Sequence, residues 1–281
     1  MKNPRNSFTI KPWGDHLAKR TRVWNEKVYH RYLREGRGHG EGANYKPWLT
    51  IHDFPSLGVV SRVKGQTTGR VYHMMSSNET NLFYLLDWSD KILDIREQYP
   101  LIDLVEAIKI AESAQIRYPY DAKSGFPYVM TSDFYIESTN GVVTIAVKPS
   151  LELEKPRVRE KLEIERRYWR SKGIKWELVT EHEINNAKAR NIEWLSQASD
   201  LTLFGLSTEL QSVCIDHFMS SYILYDTLGG LFKDLEQRFG LNAGCGINIY
   251  KHLIYHKEIK VDVSQPIDVA TLLDKPAIFS G

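Results

Sequence analysis

Alternating hydrophobic and polar positions predict a group of β-strands in the middle of the chain. TSDFYIES and VVTIAVK both alternate with a period of two, and Asn140-Gly141 between them is a strong hairpin signal. KILDIREQYPL predicts a short strand through Ile92–Ile95, and IKWELV predicts another after residue 173. Four strands, two of them joined as a hairpin, therefore form the expected sheet.

Helical periodicity places one helix before these strands and one between the last two. SSNETNLFYLLDW begins with Ser76 and Glu79 at the spacing of a capping box. A second helix begins at Pro156, runs through RVREKLEIERRYWRSKG and ends at Gly173. The order of elements is αβββαβ, which predicts a mixed-sheet α/β core.

The two ends of the chain differ from this core. Leu17, Trp24, Val28 and Tyr32 lie at helical spacing within residues 15–34, and residues beyond 183 are mostly helical. We expect a small, mainly helical carboxyl-terminal domain, with a winged-helix-like arrangement as one alternative, and an extended tail from Val261. The predicted division is a basic helical extension (1–34), a catalytic domain (35–182) and a partner-binding domain with its tail (183–281).

Composition is that of a globular cytoplasmic protein. The 281 residues are 42% apolar and 26% charged, and no apolar run reaches the roughly 20 residues of a membrane span. The basic amino terminus lacks an apolar signal segment. Cys214 and Cys245 have no metal-site spacing and are expected to be buried thiols in a reducing compartment.

Charge is unevenly distributed along the chain. Residues 1–70 contain 14 Lys/Arg against 5 Asp/Glu, whereas residues 183–281 contain 8 against 12. A basic front with interspersed aromatic residues suits nucleic acid, although a solvated helix face is the alternative. The glycine-rich EGRGHGEG loop could approach phosphates, but its pattern favours a connector. The predicted DNA-binding residues are Lys19, Arg20, Arg22, Arg31, Arg34 and Arg37.

The predicted hairpin brings a lysine to an aspartate. With Asn140-Gly141 as the loop, Asp133 faces Lys148 directly across the strands, which by itself could be an ordinary ion pair. Carboxylates that converge with a lysine are what metal-assisted phosphodiester hydrolysis requires. Glu79 could join this pair, although its capping box explains it equally well. Glu165 follows on the next helix, where a solvated face is the alternative.

Several motifs, in order, resemble a known family. EGRGHGEGANYKPWLTI, TGRVYHMMSSNE, LDIREQYPL, SDF, VKP, EKLEIERRYW and NIEWL are similar to TnsA, the endonuclease subunit of heteromeric cut-and-paste transposons. The resemblance covers about residues 34–195. It implies a restriction-endonuclease-like fold of the PD-(D/E)XK superfamily.

The resemblance implies roles for individual residues. The family's acidic ligand falls on Glu79, its metal-binding aspartate on Asp133, its catalytic lysine on Lys148 and a functional glutamate on Glu165. Mg²⁺ is the implied cofactor, with Mn²⁺ as a substitute. The chain departs from the family at Ala146, where the family has a glutamine.

Ala146 leaves the number of metal ions open. The backbone carbonyl of Val147 offers one further oxygen ligand, and Glu165 is the candidate for a second cation. Glu163 is less suited. It lies two positions before Glu165, and residues two positions apart on a helix differ by about 200° around the axis, so the two cannot face the same site.

The implied function is cleavage at the 5′ ends of a transposon. The implied partners are double-stranded DNA at the transposon ends, a DDE-type transposase, and an AAA+ regulator that binds the carboxyl-terminal domain. Two alternatives stay open: a catalytically impaired adaptor between transposase and regulator, which Ala146 favours, and a stand-alone restriction-type or repair nuclease.

Overall fold

The computed structural model describes residues 23–53 and 59–267 of the chain. Within this part the strands are β1 (Ser61–Lys64), β2 (Val71–Met74), β3 (Ile92–Pro100), β4 (Thr131–Ser138), β5 (Gly141–Val147) and β6 (Lys175–Val179). The helices are α1 (Glu26–Arg34), α2 (Ser77–Asp87), α3 (Leu104–Ser113), α4 (Pro156–Ser171), α5 (Asn186–Ser196), α6 (Thr208–Ser221), α7 (Leu228–Phe239) and α8 (Cys245–Tyr255).

A four-stranded mixed sheet in the order β3-β4-β5-β6 forms the centre of the fold. The pairs β3–β4 and β4–β5 are antiparallel, and β6 joins β5 in parallel after the crossover through α4. This confirms the predicted αβββαβ order, with α3 as an unpredicted helix between β3 and β4. The β1–β2 hairpin before α2 was not predicted either.

The β4–β5 hairpin forms with a register that differs by two residues from the predicted one. Ser138 pairs with Gly141, so the loop residues are Thr139 and Asn140 rather than Asn140-Gly141. Gly141, at the start of β5, has a positive φ of 107°, which suits glycine. Because side chains alternate with period two, a shift of two residues leaves every side chain on its predicted face.

Helices cover both faces of the sheet. On one face α2 contributes Phe83, which packs with the strand residues Phe134 and Ile145. On the other face α3 and α4 pack together, and Ile164 and Trp169 of α4 are buried there. The sheet is therefore the middle layer of three, and both faces of β4 and β5 are covered.

The front helix is shorter than predicted and belongs to the body of the protein. It begins after the N-cap Asn25, whose side chain accepts a hydrogen bond from the Val28 amide, so Trp24 precedes the helix. Trp24 packs edge-on against Tyr32 and Trp48, and its Nε1 donates to the Pro127 carbonyl at 2.8 Å. Residues 15–22 of the predicted helix lie outside the described part.

The glycine-rich loop packs against the sheet. A Cβ at Gly38 would lie 2.5 Å from the Pro100 ring, and one at Gly40 would lie 2.4 Å from the Asn44 carbonyl oxygen. The Gly38 amide donates to the carbonyl of Lys46. Glycine is needed here for close packing, which supports the connector alternative over a phosphate-binding loop.

The carboxyl-terminal part is helical, as predicted, and packs on α2. Its core includes Tyr84 of α2, and the Trp88 Nε1 donates to the Tyr255 carbonyl at 2.8 Å. The described residues after 180 contain no strand, so they form no wing of a winged helix. The last residues of the predicted tail, 268–281, lie outside the described part.

Two simpler predictions are also answered by the structure. Cys214 and Cys245 are both buried and are not joined by a disulfide. Over residues 23–53 and 59–267, every helix is too short or too polar to cross a membrane.

Candidate active site

Asp133 and Lys148 meet where β4 and β5 diverge. The Lys148 Nζ lies 2.8 Å from the Asp133 Oδ2, and the same oxygen accepts a hydrogen bond from the Val147 amide at 2.6 Å. Continuing the observed register places Asp133 opposite Ala146, not Lys148. The predicted direct pairing is therefore wrong, but the contact forms diagonally, because the two side chains share a face.

Glu79 is fixed by the start of α2. Its backbone amide donates to the Ser76 Oγ, and its carboxylate accepts hydrogen bonds from the Ser76 hydroxyl and the Met75 amide, each at 2.9 Å. The predicted capping pair of Ser76 and Glu79 is present, but the carboxylate bonds the amide of Met75 rather than that of the N-cap Ser76. The side chain is only 5% exposed, which a capping glutamate at a helix surface does not require.

Glu165 is buried inside the fold rather than on a solvated helix face. Its Oε1 accepts hydrogen bonds from the Ser132 hydroxyl at 2.6 Å and from the Trp176 Nε1 at 3.0 Å. Glu163, two residues earlier, pairs instead with Arg166 and Arg167 on the outside of α4. The two glutamates thus lie on different sides of the helix, as its geometry requires.

Electrostatics show that these groups converge. Burial, reinforced by the negative charge of Asp133, raises the pKa of both Glu79 and Glu165 to about 7. Burial alone would lower the pKa of Lys148, but Asp133, Glu165 and Glu79 together raise it. The charges of three carboxyl groups therefore act on one ammonium group, with negative charge in excess when all are ionised.

The chemical type of the donors fits a hard divalent cation. Carboxylate oxygens and excess negative charge are what Mg²⁺ prefers. Within the described residues, however, no three His, Cys, Asp or Glu side chains form a ready-made metal cluster. Each of the three carboxylates instead accepts hydrogen bonds from the protein.

The Val147 carbonyl and Ala146 lie next to this pair. The Val147 carbonyl, predicted as a further oxygen ligand, accepts a hydrogen bond from the Lys148 Nζ at 2.8 Å. Ala146 is fully buried and contributes no polar atom to the face that carries Asp133. The described geometry thus contains one carboxylate–lysine pair whose nearest backbone groups are already engaged.

The predicted DNA-binding residues fall into three groups: those outside the described part, those exposed on α1, and one that is engaged within the fold. Lys19, Arg20 and Arg22 lie outside the described part. Arg31 and Arg34 are exposed on α1. The Arg37 side chain is only 18% exposed, lies 2.7 Å from Asp53 and stacks over the Tyr32 ring. Arg37 is therefore engaged within the fold, and the prediction of a DNA contact rests on the other positions.

Three residues near the site were not identified from the sequence. Ser132 and Trp176 bind Glu165, and Gln98 contacts Asp133. Their positions follow from pairing between strands and helices distant in the chain, so periodicity alone gives no indication of them. The one indication in the sequence was that Ser132 directly precedes Asp133 in the SDF motif.

The raised carboxyl pKa values predict how stability depends on pH. Between about pH 4.5 and 7 folded Glu79 and Glu165 keep protons that the unfolded chain has released. Their contribution to stability is therefore full below pH 4.5 and is lost as the pH rises through 7, by on the order of 2 kcal/mol for each group. Urea unfolding in EDTA at pH 5 and pH 8 measures this difference.

Glu79→Gln and Glu165→Gln provide the comparison for this prediction. The amide imitates the protonated acid, so each variant should lose less stability than the wild type between the two pH values. Glu163→Gln is the control, since Arg166 and Arg167 lower the pKa of Glu163 to about 2. Equal pH dependence in all four proteins would contradict the burial of charge described above.

Two family models and one relative match much of this chain. A family model described as TnsA-like endonuclease N terminal matches residues 89–181, and one described as TnsA endonuclease C terminal matches residues 183–263. The transposon Tn7 transposition protein TnsA of Escherichia coli is 41% identical over 182 residues, which is 64% of this chain and 66% of that protein. The chain belongs to the TnsA endonuclease family. The matched part spans slightly less than two thirds of the length of the E. coli TnsA.

Family membership confirms the fold class predicted from the sequence. Asp133, Lys148 and Glu165 lie within the stretch matched by the amino-terminal TnsA model, whereas Glu79 precedes it. The roles of the four residues and the domain boundaries at 34 and 182 stay predictions.

Proposed function

We propose that this TnsA-family chain is a Mg²⁺-dependent DNA endonuclease that hydrolyses the phosphodiester at the 5′ ends of a transposon, in the bacterial cytoplasm. One observation carries the proposal: a lysine held at 2.8 Å by a buried aspartate, with two further glutamates whose pKa values are raised by burial and by that aspartate. Buried charges that perturb each other in this way are typical of catalytic sites.

Lys148 acts as a fixed positive charge. Its ammonium group lies between the Asp133 carboxylate and the Val147 carbonyl, and its raised pKa keeps it protonated at neutral pH. Its side chain is 35% exposed, so the remaining N–H can reach a phosphate oxygen from the solvent side. The lysine thereby orients the scissile phosphate and stabilises the negative charge that develops during hydrolysis.

Asp133 and Glu79 would hold the cation, with Glu165 as the further carboxylate and the Val147 carbonyl as a backbone ligand. A bound Mg²⁺ would supply an activated water and neutralise the leaving oxygen, and Mn²⁺ has the same oxygen preference. Protein hydrogen bonds keep the carboxylates close together despite their mutual repulsion.

The exposed basic residues of α4 offer a second contact with DNA. Of its six basic residues, only Lys161 and Arg170 lack a hydrogen-bond or ion-pair partner within the described part of the chain. Lys161 lies four residues before Glu165, which is one helical turn away on the same side. Partial desolvation and the positive charges of Arg157 and Lys148 lower its pKa. Lys161 is therefore an exposed cation that lies near other cations and next to the site, which suits it to bind a DNA phosphate.

Replacing Lys161 with methionine should weaken DNA binding by about tenfold and reduce the salt dependence of binding by about one phosphate contact. Methionine keeps an apolar side chain and removes the charge. DNA affinity at several salt concentrations, measured in EDTA, checks this expectation. Arg170→Met is the matched control, because Arg170 lies about 180° around the helix from Lys161. Equal effects of both substitutions would place the DNA elsewhere.

Partners are proposed from the family and from charge. The DNA would be double-stranded transposon ends, and a DDE-type transposase would act with the nuclease. The acidic residues 183–281 disfavour DNA as their main partner and would bind an AAA+ regulator. Leu203 and Leu224 of this part are more than half exposed and would be available to such a protein.

Cleavage of transposon-end DNA, resolved by strand, tests the proposed function. The expected result is Mg²⁺-dependent cutting of the strand with the 5′ transposon end, in the presence of the cognate transposase. Failure to cut with Mg²⁺ or Mn²⁺, while the complex with DNA and transposase still forms, would identify the protein as an adaptor. Efficient cutting of DNA without transposon ends and without transposase would instead identify a stand-alone nuclease.

A further inference from the structure

Gln98 has an unusual backbone conformation. Its φ is 48°, in the left-handed region that residues other than glycine seldom adopt. Gln115 and Lys257 are the other such residues in the described ranges, and each follows the last turn of a helix, where this conformation is common. Gln98 instead lies within strand β3 and is only 4% exposed.

This conformation is held by contacts on both sides of the residue. The Gln98 carbonyl accepts a hydrogen bond from the Trp48 amide, and the flanking residues Glu97 and Tyr99 keep their pairing with β4. Because the register is the same before and after it, Gln98 lies opposite Asp133. The strained residue therefore lies across from the aspartate of the candidate active site.

The side chain of Gln98 joins two polar groups of β4. Its Nε2 lies 3.4 Å from the Asp133 Oδ1, and its Oε1 accepts a hydrogen bond from the Thr131 hydroxyl at 3.0 Å. The first contact fixes which end of the carboxamide points to Asp133, because an ionised carboxylate can only accept and therefore selects the amide N–H; the Thr131 hydroxyl then donates to the amide oxygen. The N–H donor is thus directed to the aspartate.

Asp133 receives its other contacts at the opposite oxygen. Its Oδ2 binds the Val147 amide and the Lys148 ammonium group, whereas Gln98 is the neighbour that donates to Oδ1. Because Oδ1 is held from β3 and Oδ2 from the end of β5, the rotation of the Asp133 carboxylate is fixed. Ala146, the residue opposite Asp133 on β5, has no polar side-chain atom that could do this instead.

We propose that Gln98 is a positioning residue of the nuclease site, whose strained backbone directs its carboxamide to Asp133 and sets the orientation of that carboxylate toward Lys148. The inference rests on the proposed function, since it concerns the same reaction. Strain of this kind persists only where surrounding contacts impose it, and it concentrates at functional sites.

Three variants distinguish the effect of the Gln98 carboxamide on cleavage from the effect of the backbone strain. Gln98→Glu keeps the length of the side chain and the acceptor for Thr131, but replaces the donor to Asp133 with a like charge. Gln98→Gly removes the carboxamide and relieves the backbone. Gln98→Asn keeps an amide and tolerates positive φ, but is one methylene shorter. Gln115→Gly is the matched control, because it relieves a similar φ at the end of α3, away from the site.

The measurements are kcat and KM for transposon-end DNA, the Mg²⁺ concentration for half-maximal cleavage, and the urea midpoint in EDTA. We expect Gln98→Glu and Gln98→Gly to lower kcat by about 10- to 100-fold with KM for DNA unchanged. Gln98→Asn should be intermediate. The urea midpoint of Gln98→Gly should not fall below that of the wild type, and Gln115→Gly should cleave at the wild-type rate.

The outcomes distinguish this inference from the proposed function. If the wild type cuts, Asp133→Ala does not and folded Gln98→Gly cuts at the wild-type rate, the inference is wrong and the proposed function stands. If kcat of the Gln98 variants falls only in proportion to the fraction unfolded, the role is structural and the inference is wrong. If the wild type itself does not cut, both are wrong.

Discussion

Cleavage of transposon-end DNA should be lost when Asp133 is replaced with alanine. The substitution removes the carboxylate that holds Lys148 and that would hold the metal ion, so the rate should fall by at least on the order of 100-fold. A strand-resolved assay at saturating Mg²⁺, with the transposase present, measures the loss. Lys148→Ala should behave in the same way, because the other cation near the site, Lys161, has no contact with Asp133.

Folding has to be checked in parallel, because Asp133 also satisfies the Val147 amide. Alanine leaves this buried donor unpaired, which should cost about 1–3 kcal/mol of stability. Asp133→Asn keeps an acceptor for that amide and should restore stability while cleavage stays lost. Glu137→Ala is the control on the same strand, since Glu137 pairs with Arg96. A folded Asp133→Ala protein that cuts at the wild-type rate would show that the site is wrong.

A comparison of Glu165→Ala with Glu163→Ala should give the second largest difference. Glu165 is buried beside Asp133 and Lys148, whereas Glu163 forms surface ion pairs with Arg166 and Arg167. We expect Glu165→Ala to reduce cleavage by on the order of 100-fold and Glu163→Ala to leave it nearly unchanged. The same assay, with urea unfolding as a check, measures both.

Glu165→Gln separates charge from packing in this comparison. The amide oxygen can still accept hydrogen bonds from Ser132 and Trp176, so the fold around it should be kept while the negative charge is removed. Loss of cleavage in this variant would assign the effect to charge. Normal cleavage by both Glu165 variants, together with loss in Glu163→Ala, would mean that the assigned helix face is wrong.

Local pattern was sufficient for the order of elements, because each depends on neighbours in the chain. Alternation identified β4 and β5, and the capping box at Ser76 identified the start of α2. The short helix α3 was missed, and helix α1 was predicted to begin too early, at residue 15. Trp24 has helical spacing but packs instead on the distant residues Trp48 and Tyr128. Tertiary packing outweighed periodicity there.

The sequence by itself determined that Asp133 and Lys148 share a face of the hairpin. A register shift of two residues leaves each side chain on the same face, so the contact forms although the loop residues were predicted wrongly. Only the tertiary structure decided that Glu165 is buried and that Gln98 is strained against Asp133. Burial depth and backbone strain arise from the packing of β3 and α4 on β4. The contacts that matter, Gln98 with Asp133 and Ser132 with Glu165, join residues 35 and 33 positions apart in the chain, which local pattern does not encode.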